Sequence, residues 1–238
     1  MRDRMVISVV LNAHLPFIRH PDMAQACEER RFFELVSDTY LPLLGVFDRL
    51  EADHVPFRIA LALSPTLCHM LSDELLLDRY LNYVDARIEL GAREVDRTAG
   101  DPVLNGLARM TYSRFVEERV LFTERYERNI LKVLSLYQKK GRVELLTTAA
   151  THSFLPFYTE IPEAVQSQIE VALANHRSYF GKNPQGFWLP ELGWTPELDE
   201  YLRAYNFSYT IVSAHGLVTG TPPAVKGSFY PIKTPGEP

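Results

Sequence analysis

Only two cysteines, Cys27 and Cys68, occur in the 238 residues. That is too few for a disulfide framework, so a reducing compartment and a cytoplasmic setting are expected. Glycine is also scarce, at 12 residues, and none of it forms a phosphate-cradling loop: neither GxGxxG nor a Walker pattern occurs. No stretch approaches the ~20 apolar residues that cross a bilayer. Met5–Leu11, behind Arg2 and Arg4, superficially resembles a signal peptide, but it is short, runs directly into Asn12 and His14, and has no small-residue cleavage site. A basic surplus is missing too: 25 Lys and Arg stand against 30 Asp and Glu, a formal charge of −5. That balance excludes a nucleic-acid footprint or an anionic membrane as the expected partner. What remains is an ordinary globular composition, 46% hydrophobic and 23% charged, long enough for one large domain or two small ones.

Short apolar runs alternate with long helical patterns. Met5–Leu11 reads as a buried strand, residues 24–50 as helix with a break or restart near Pro42, and Phe57–Leu63 as a second strand. Two long helices follow, about 74–97 and 103–138, separated by Ala99–Gly100–Asp101–Pro102, a stop–start signal. In the second, Glu124 and Arg128 are spaced to pair on the wet face, the charged stretch 117–128 reads as solvated, and Tyr112, Phe115, Phe122, Tyr126 and Tyr137 read as core rather than as the wall of a groove. Gly141 behind Lys139–Lys140 fits a left-handed cap. Val143–Thr148 is a third strand, Pro162 opens a helix whose buried stripe includes Val165, Ile169, Leu173 and Phe180, and Gly186–Leu189 is a fourth strand. Helix is expected at about 197–205, strand at Ser208–Val212, and a sixth strand at Ser228–Lys233. This β-α repetition, with one helical insertion at about 74–140 after the second strand, predicts an α/β fold with a parallel sheet, either open or closing as a barrel.

In either architecture ligands bind at the carboxyl ends of the strands. The residues just past those ends include His14, His152 and His215, and, after the fourth strand, Glu191 between Trp188 and Trp194. A carboxylate held in a stiff Pro–Glu segment with indoles on both sides suits a sugar, whose C–H faces stack on aromatic rings while the carboxylate attacks or stabilises an anomeric carbon. An exposed loop glutamate beside core tryptophans would look the same in isolation. The three histidines fit a polar pocket that either hydrogen-bonds sugar hydroxyls or grips a metal. Their spacing excludes a local HExxH motif. His20, His54, His69 and His176 have no comparable placement, and Cys68 reads as core.

The stretches VVLNAHLPFIRHPD at the start, GRVELLTTAATHSFLPF at 141–157 and GFWLPELGWTPELDEYL at 186–202 resemble the first three sequence blocks of glycoside hydrolase family 57, and most of all its 1,4-α-glucan branching enzymes. TYLPLLGVFDRL, SPTLCHML and YPIKTP resemble that subfamily as well. The resemblance implies an incomplete (β/α)7 barrel, with residues 1–238 as the N-terminal portion of the catalytic domain, truncated before closure. It also implies a retaining mechanism on α-glucan polysaccharide or maltooligosaccharide, with no cofactor and no metal. By resemblance Glu191 is the nucleophile, His14 and His152 lie in the subsite around the scissile bond with His215 close by, and Trp188 lines the same pocket. Trp194 joins them on the other side of Glu191. Branching is the expected activity. Alternatives are a 4-α-glucanotransferase, an α-amylase, a non-catalytic glucan-binding fragment, and a metal-dependent hydrolase built on the three histidines.

Three departures stand out. Leu192–Gly193–Trp194 replaces the usual Cys or Met followed by Gly/Ala–Tyr, Asn12 stands where many members have His, and Ser213 stands where many have Asp. The family's acid/base aspartate belongs to a fourth block beyond position 238. Retaining chemistry needs two carboxyl groups about 5 Å apart, and Asp22 and Glu160 are poor substitutes. The chain alone is therefore expected to turn over slowly or not at all, and to be poorly soluble or to need the missing C-terminal half as a partner that supplies strands.

Overall fold

A computed structural model describes residues 7–23, 26–221 and 227–234. In chain order the elements are β1 (Val10–Ala13), α1 (Cys27–Leu35), α2 (Leu41–Ala52), β2 (Ile59–Leu63), α3 (Pro65–Met70), α4 (Glu74–Arg97), α5 (Pro102–Val120), α6 (Ile130–Lys139), β3 (Val143–Thr148), α7 (Pro162–Phe180), β4 (Gly186–Trp188), α8 (Leu198–Ala204), β5 (Tyr209–Thr210) and α9 (Ala214–Val218). The chain divides into two compact units. One comprises Met1–Pro16, Arg58–Cys68 and Tyr137–Pro238, the other Phe17–Phe57 and His69–Leu136.

The first unit carries the sheet. Its strands lie in the order β1-β2-β3-β4-β5, and every pairing is parallel, with Leu11 opposite Leu61, Leu61 opposite Leu145, and Thr148 opposite Trp188. An order that never reverses means that each crossover steps the same way. Right-handed crossovers then place the covering helices on one face and leave the other to curl on itself. A doubly wound sheet would have to reverse. The protein is thus an α/β fold whose five parallel strands form the arc of an incomplete (β/α) barrel. β3 is its centre and is buried along nearly its whole length, Thr147 and Thr148 included, as befits a strand covered on both faces. A core cluster of Ala149, Leu155, Val165, Ile169, Leu173, Phe187, Leu189, Leu198, Leu202 and Phe207 joins β4 to α7 and α8. Gly181, left-handed at φ 73, closes α7 by donating its N–H to the Arg177 carbonyl, as a helix end with no side-chain penalty can.

The second unit is helical. α1 runs through a wider π-type turn, Val36–Tyr40, into α2, with Pro42 in the first turn as the sequence led one to expect. Asp73 caps α4 by accepting from Leu76 N, and Asp101 caps α5 by accepting from Val103 N and Leu104 N. Glu29 is fully buried and held by Arg79 at 2.7 and 2.9 Å.

Several expectations are corrected. The single helix at 103–138 is broken: α5 widens into a π-type turn at Leu121–Arg125, Glu127 and Arg128 take left-handed backbone, and α6 restarts behind Asn129, whose side chain accepts from Lys132 N. Arg128 therefore does not pair with Glu124; it reaches Asp78 at 2.7 Å and Glu74 at 3.2 Å. Tertiary contacts override local propensity here. Glu118, expected on the wet face, is buried; Arg114 lies 2.9 Å away, off the line of a good hydrogen bond, and burial raises the carboxyl pKa. β1 starts later than the expected Met5–Leu11, of which Met5 and Val6 lie outside the described residues. Residues 227–229 form a 3-10 turn, and no strand occurs at 227–234. The Gly141 cap and the burial of Cys68, Phe115, Phe122, Tyr126 and Tyr137 are as expected, whereas Tyr112 is only half-buried.

Candidate active site

The rim of the arc is built from the turns that follow β1, β3 and β4. Behind β3 the chain closes on itself: His152 N donates to the Ala149 carbonyl at 2.9 Å, and His152 adopts φ 58. Gln168 of α7 pins the turn by accepting from Thr151 N at 2.9 Å. Behind β4, Leu189 and Pro190 are buried, and Leu192 N and Gly193 N fold back onto the carbonyls of Leu189 and Pro190. That tight turn puts Glu191 at φ 54, ψ 18 and Leu192 at φ 57. Left-handed backbone at a non-glycine residue costs about 1–3 kcal/mol and persists only where the surroundings over-determine it. Here buried Ala149 and Leu155, on either side of the His152 turn, and buried Leu189, on the strand side of the Glu191 turn, supply that constraint.

The two turns meet. The His14 and His152 rings stack at 3.7 Å and 9°, and His152 Nε2 lies 3.9 Å from Glu191 Oε1. The imidazole is sunk, with 8% of its side chain exposed, whereas the carboxylate is open at 78%. Burial depresses the pKa of both histidines. His14 falls to about 4 through burial first and the neighbouring His152 second, with Glu191 opposing. Near neutral pH the pair is therefore uncharged, a set of hydrogen-bonding groups beside an ionisable carboxylate. The Thr148 hydroxyl lies 3.4 Å from His152 Nδ1. With that hydroxyl donating, the ring proton sits on Nε2 and faces Glu191. Among the described residues, His14 Nδ1 and Trp188 Nε1 are buried without a hydrogen-bond partner, an arrangement that costs free energy unless something polar meets them.

His14, His152 and Glu191 thus come together, and Trp188 lies on the same strand end. Trp194 is placed differently. Its Nε1 donates to the buried Asp199 at 2.9 Å, and the indole packs on the core cluster, so the segment after Glu191 is tied down by this residue. His215 is exposed in the first turn of α9, capped by Ser213, and among the described residues makes no contact with the trio. Asn12 and Glu160 are exposed, as is Asp22 in the helical unit. Among the described residues no group of three His, Cys, Asp or Glu could hold a metal ion.

Two features of the site have no local signature. Thr148 stands one turn before His152, at the end of a strand where a hydroxyl reads as ordinary. Gly193 lies under the Phe154 ring, where a β-carbon would meet Cε2 at 2.2 Å.

The family model for glycosyl hydrolase family 57 matches residues 8–237. The chain belongs to this family. It is 32% identical over 80% of its length to the 1,4-alpha-glucan branching enzyme TK1436 of Thermococcus kodakarensis, of which it covers 27%. Among solved structures it is similar to the alpha-amylase AmyC from Thermotoga maritima, with a TM-score of 0.92 and 36% identity over 98% of this chain and 44% of that one. It is also similar to a GH57-type branching enzyme from Pyrococcus horikoshii, with a TM-score of 0.82 and 25% identity over 90% of this chain and 42% of that one. The chain thus spans less than half the length of each of these relatives.

Proposed function

We propose that this family 57 chain carries the nucleophile half of a retaining α-glucan-active site and that the intact protein is a 1,4-α-glucan branching enzyme. The observation that carries the reading is the stacked His14–His152 pair, with His152 Nε2 3.9 Å from the Glu191 carboxylate on a left-handed turn. In this reading Glu191 attacks the anomeric carbon of a bound glucan and forms a glycosyl-enzyme ester as the leaving oxygen takes a proton. The neutral imidazoles and the Trp188 N–H hydrogen-bond the ring hydroxyls. Transfer of the glycosyl unit to a glucan 6-hydroxyl completes branching, and transfer to water would be hydrolysis. The family resemblance assigns the acid/base to a segment outside these residues, and the 238-residue chain alone is expected to turn over slowly. α-Glucan polysaccharide or maltooligosaccharide is the proposed partner. No helix among the described residues is long and apolar enough to cross a membrane, and Cys27 and Cys68 form no disulfide, which favours a cytoplasmic setting.

The similarity to the Thermotoga maritima α-amylase favours hydrolysis as the second reading. The products separate the two: incubation with amylose followed by a debranching enzyme reveals α-1,6 branches in one case, and reducing ends accumulate in the other. Glu191→Gln in the intact protein is expected to lower turnover by at least about 1,000-fold, the scale of losing a covalent nucleophile, with melting temperature unchanged. Wild-type turnover by that variant refutes the assignment.

A further inference from the structure

The loop after β3 presents an aromatic ring that the trio does not use. In its 3-10 turn, Leu155–Tyr158, residues three apart share one side, and Phe157 N donates to the Phe154 carbonyl at 3.2 Å. The Phe154 and Phe157 rings accordingly meet edge to face, 4.8 Å apart at 68°. Phe154 is wedged over Gly193, two residues beyond Glu191, while Leu155 on the opposite side is sunk in the core. Phe157 leans on Phe154 through one edge, and 81% of it is exposed. Tyr158 and Ile161 are exposed on the same segment, and apolar side chains grouped in water with polar ones around them mark a binding surface.

Resting on the α-glucan reading above, we propose that Phe157 is the stacking platform of a further sugar subsite, taking a glucose ring of a linear α-1,4-glucan one or more units from the ring at Glu191. The chemistry around it fits a pyranose better than an apolar partner. Thr151 and Ser153 (hydroxyls 2.8 Å apart), the Gln168 amide and Thr159 stand in or against the same loop. A pyranose needs that combination, because its C–H face is apolar and its rim carries hydroxyls. The platform is continuous with the site through one side chain, Phe154, which touches Phe157 on one side and lies over Gly193 on the other.

The test measures binding, so it does not depend on turnover. In the intact protein with Glu191→Gln as the parent, calorimetric titration compares maltoheptaose with maltose. Adding Phe157→Ala is expected to weaken maltoheptaose about tenfold, the scale of one lost aromatic stack, and to leave maltose within about twofold. Phe157→Trp should keep the parent affinity for both. Equal maltoheptaose affinity in parent and Phe157→Ala overturns the platform alone. So does a lowered melting temperature with unchanged affinity, which assigns the ring to packing. A parent that binds no maltoheptaose overturns the α-glucan reading, and the platform with it.

Discussion

Gly193→Ala is the sharpest probe of how the candidate nucleophile is held. Gly193 itself has φ −75 and ψ 117, a conformation open to any residue, so alanine loses nothing in backbone strain. It should even gain about 0.4–1 kcal/mol by restricting the unfolded chain. The opposing effect is steric. The new methyl would sit 2.2 Å from Phe154 Cε2, 2.7 Å from Cζ and 3.0 Å from Cδ2, against an ordinary carbon–carbon separation of about 3.5 Å. The ring must withdraw by about 1.3 Å or the Glu191 turn must do so. Overpacking of this kind costs about 1–3 kcal/mol. The net expectation is a loss of about 1–2 kcal/mol, which in a chain of this size lowers the melting temperature by roughly 2–8 °C. If the turn yields rather than the ring, a 1 Å displacement of the carboxylate costs about 100-fold in turnover. A double-mutant cycle read by thermal melting and glucan turnover separates the terms. With Phe154→Ala present the clash is gone, and Gly193→Ala should then be neutral or mildly stabilising. Strict additivity of the two changes refutes the argument, because it would mean that the ring and the glycine do not oppose each other.

Two further outcomes follow from the imidazole pair. His14 titrates near 6.5 when unfolded and at about 4 when folded, so between these values the unfolded chain binds more protons and stability must rise with pH. Denaturation midpoints are therefore expected to climb from about pH 4 to about pH 6.5 and then level off, with His14→Asn flattening the climb. A flat profile in the wild type, or a His14 NMR titration near 6.5, contradicts the burial argument. Thr148→Val removes the hydroxyl 3.4 Å from His152 Nδ1; a lost hydrogen bond of about 0.5–1.5 kcal/mol predicts turnover lowered roughly two- to tenfold, recovered by Thr148→Ser. The nitrogen-15 shifts of His152 should show the tautomer balance changing in the valine variant, and an unchanged balance would separate Thr148 from the site.

Elements with a strong period or a sharp terminator were legible in the sequence. β3 and α4 fall on the residues that their apolar runs and flanking stops mark out, and the Asp101–Pro102 start is where a cap and a first-turn proline place it. The Glu191 turn was legible because proline and glycine bracket it. The break at 126–129 was not, since Tyr126, Glu127, Arg128 and Asn129 carry neither glycine nor proline. What reverses the chain there lies about fifty and eighty residues away, in Asp78 holding Arg128 and Asp48 accepting from Tyr126 Oη at 3.0 Å. In the site, the pairing of His14 with His152 could be anticipated only from the rule that strand ends converge. Trp194 read as a stacking surface beside Glu191, yet its N–H is spent on Asp199. Periodicity sees neighbours three or four residues apart, whereas Phe154 over Gly193 joins loops from different strands and leaves no trace in either.

The strained backbone links these observations to chemistry. Seven non-glycine residues among those described have positive φ, and three of them, His152, Glu191 and Leu192, fall in the two turns that touch at the candidate site. A relaxed turn would leave the glutamate free to find water, since most of its side chain is exposed. The left-handed pair at 191–192 instead fixes the direction in which the side chain leaves the backbone. The turn is kept there by buried Leu189 before it, by Phe154 pressing on Gly193 within it, and by the Trp194–Asp199 bond after it. Each anchor draws on packing or hydrogen bonding outside the turn, so the free energy that orients the carboxylate comes from the sheet core and α8. Changes in that core that leave the trio untouched should therefore act on turnover through the geometry of Glu191 before they register as unfolding.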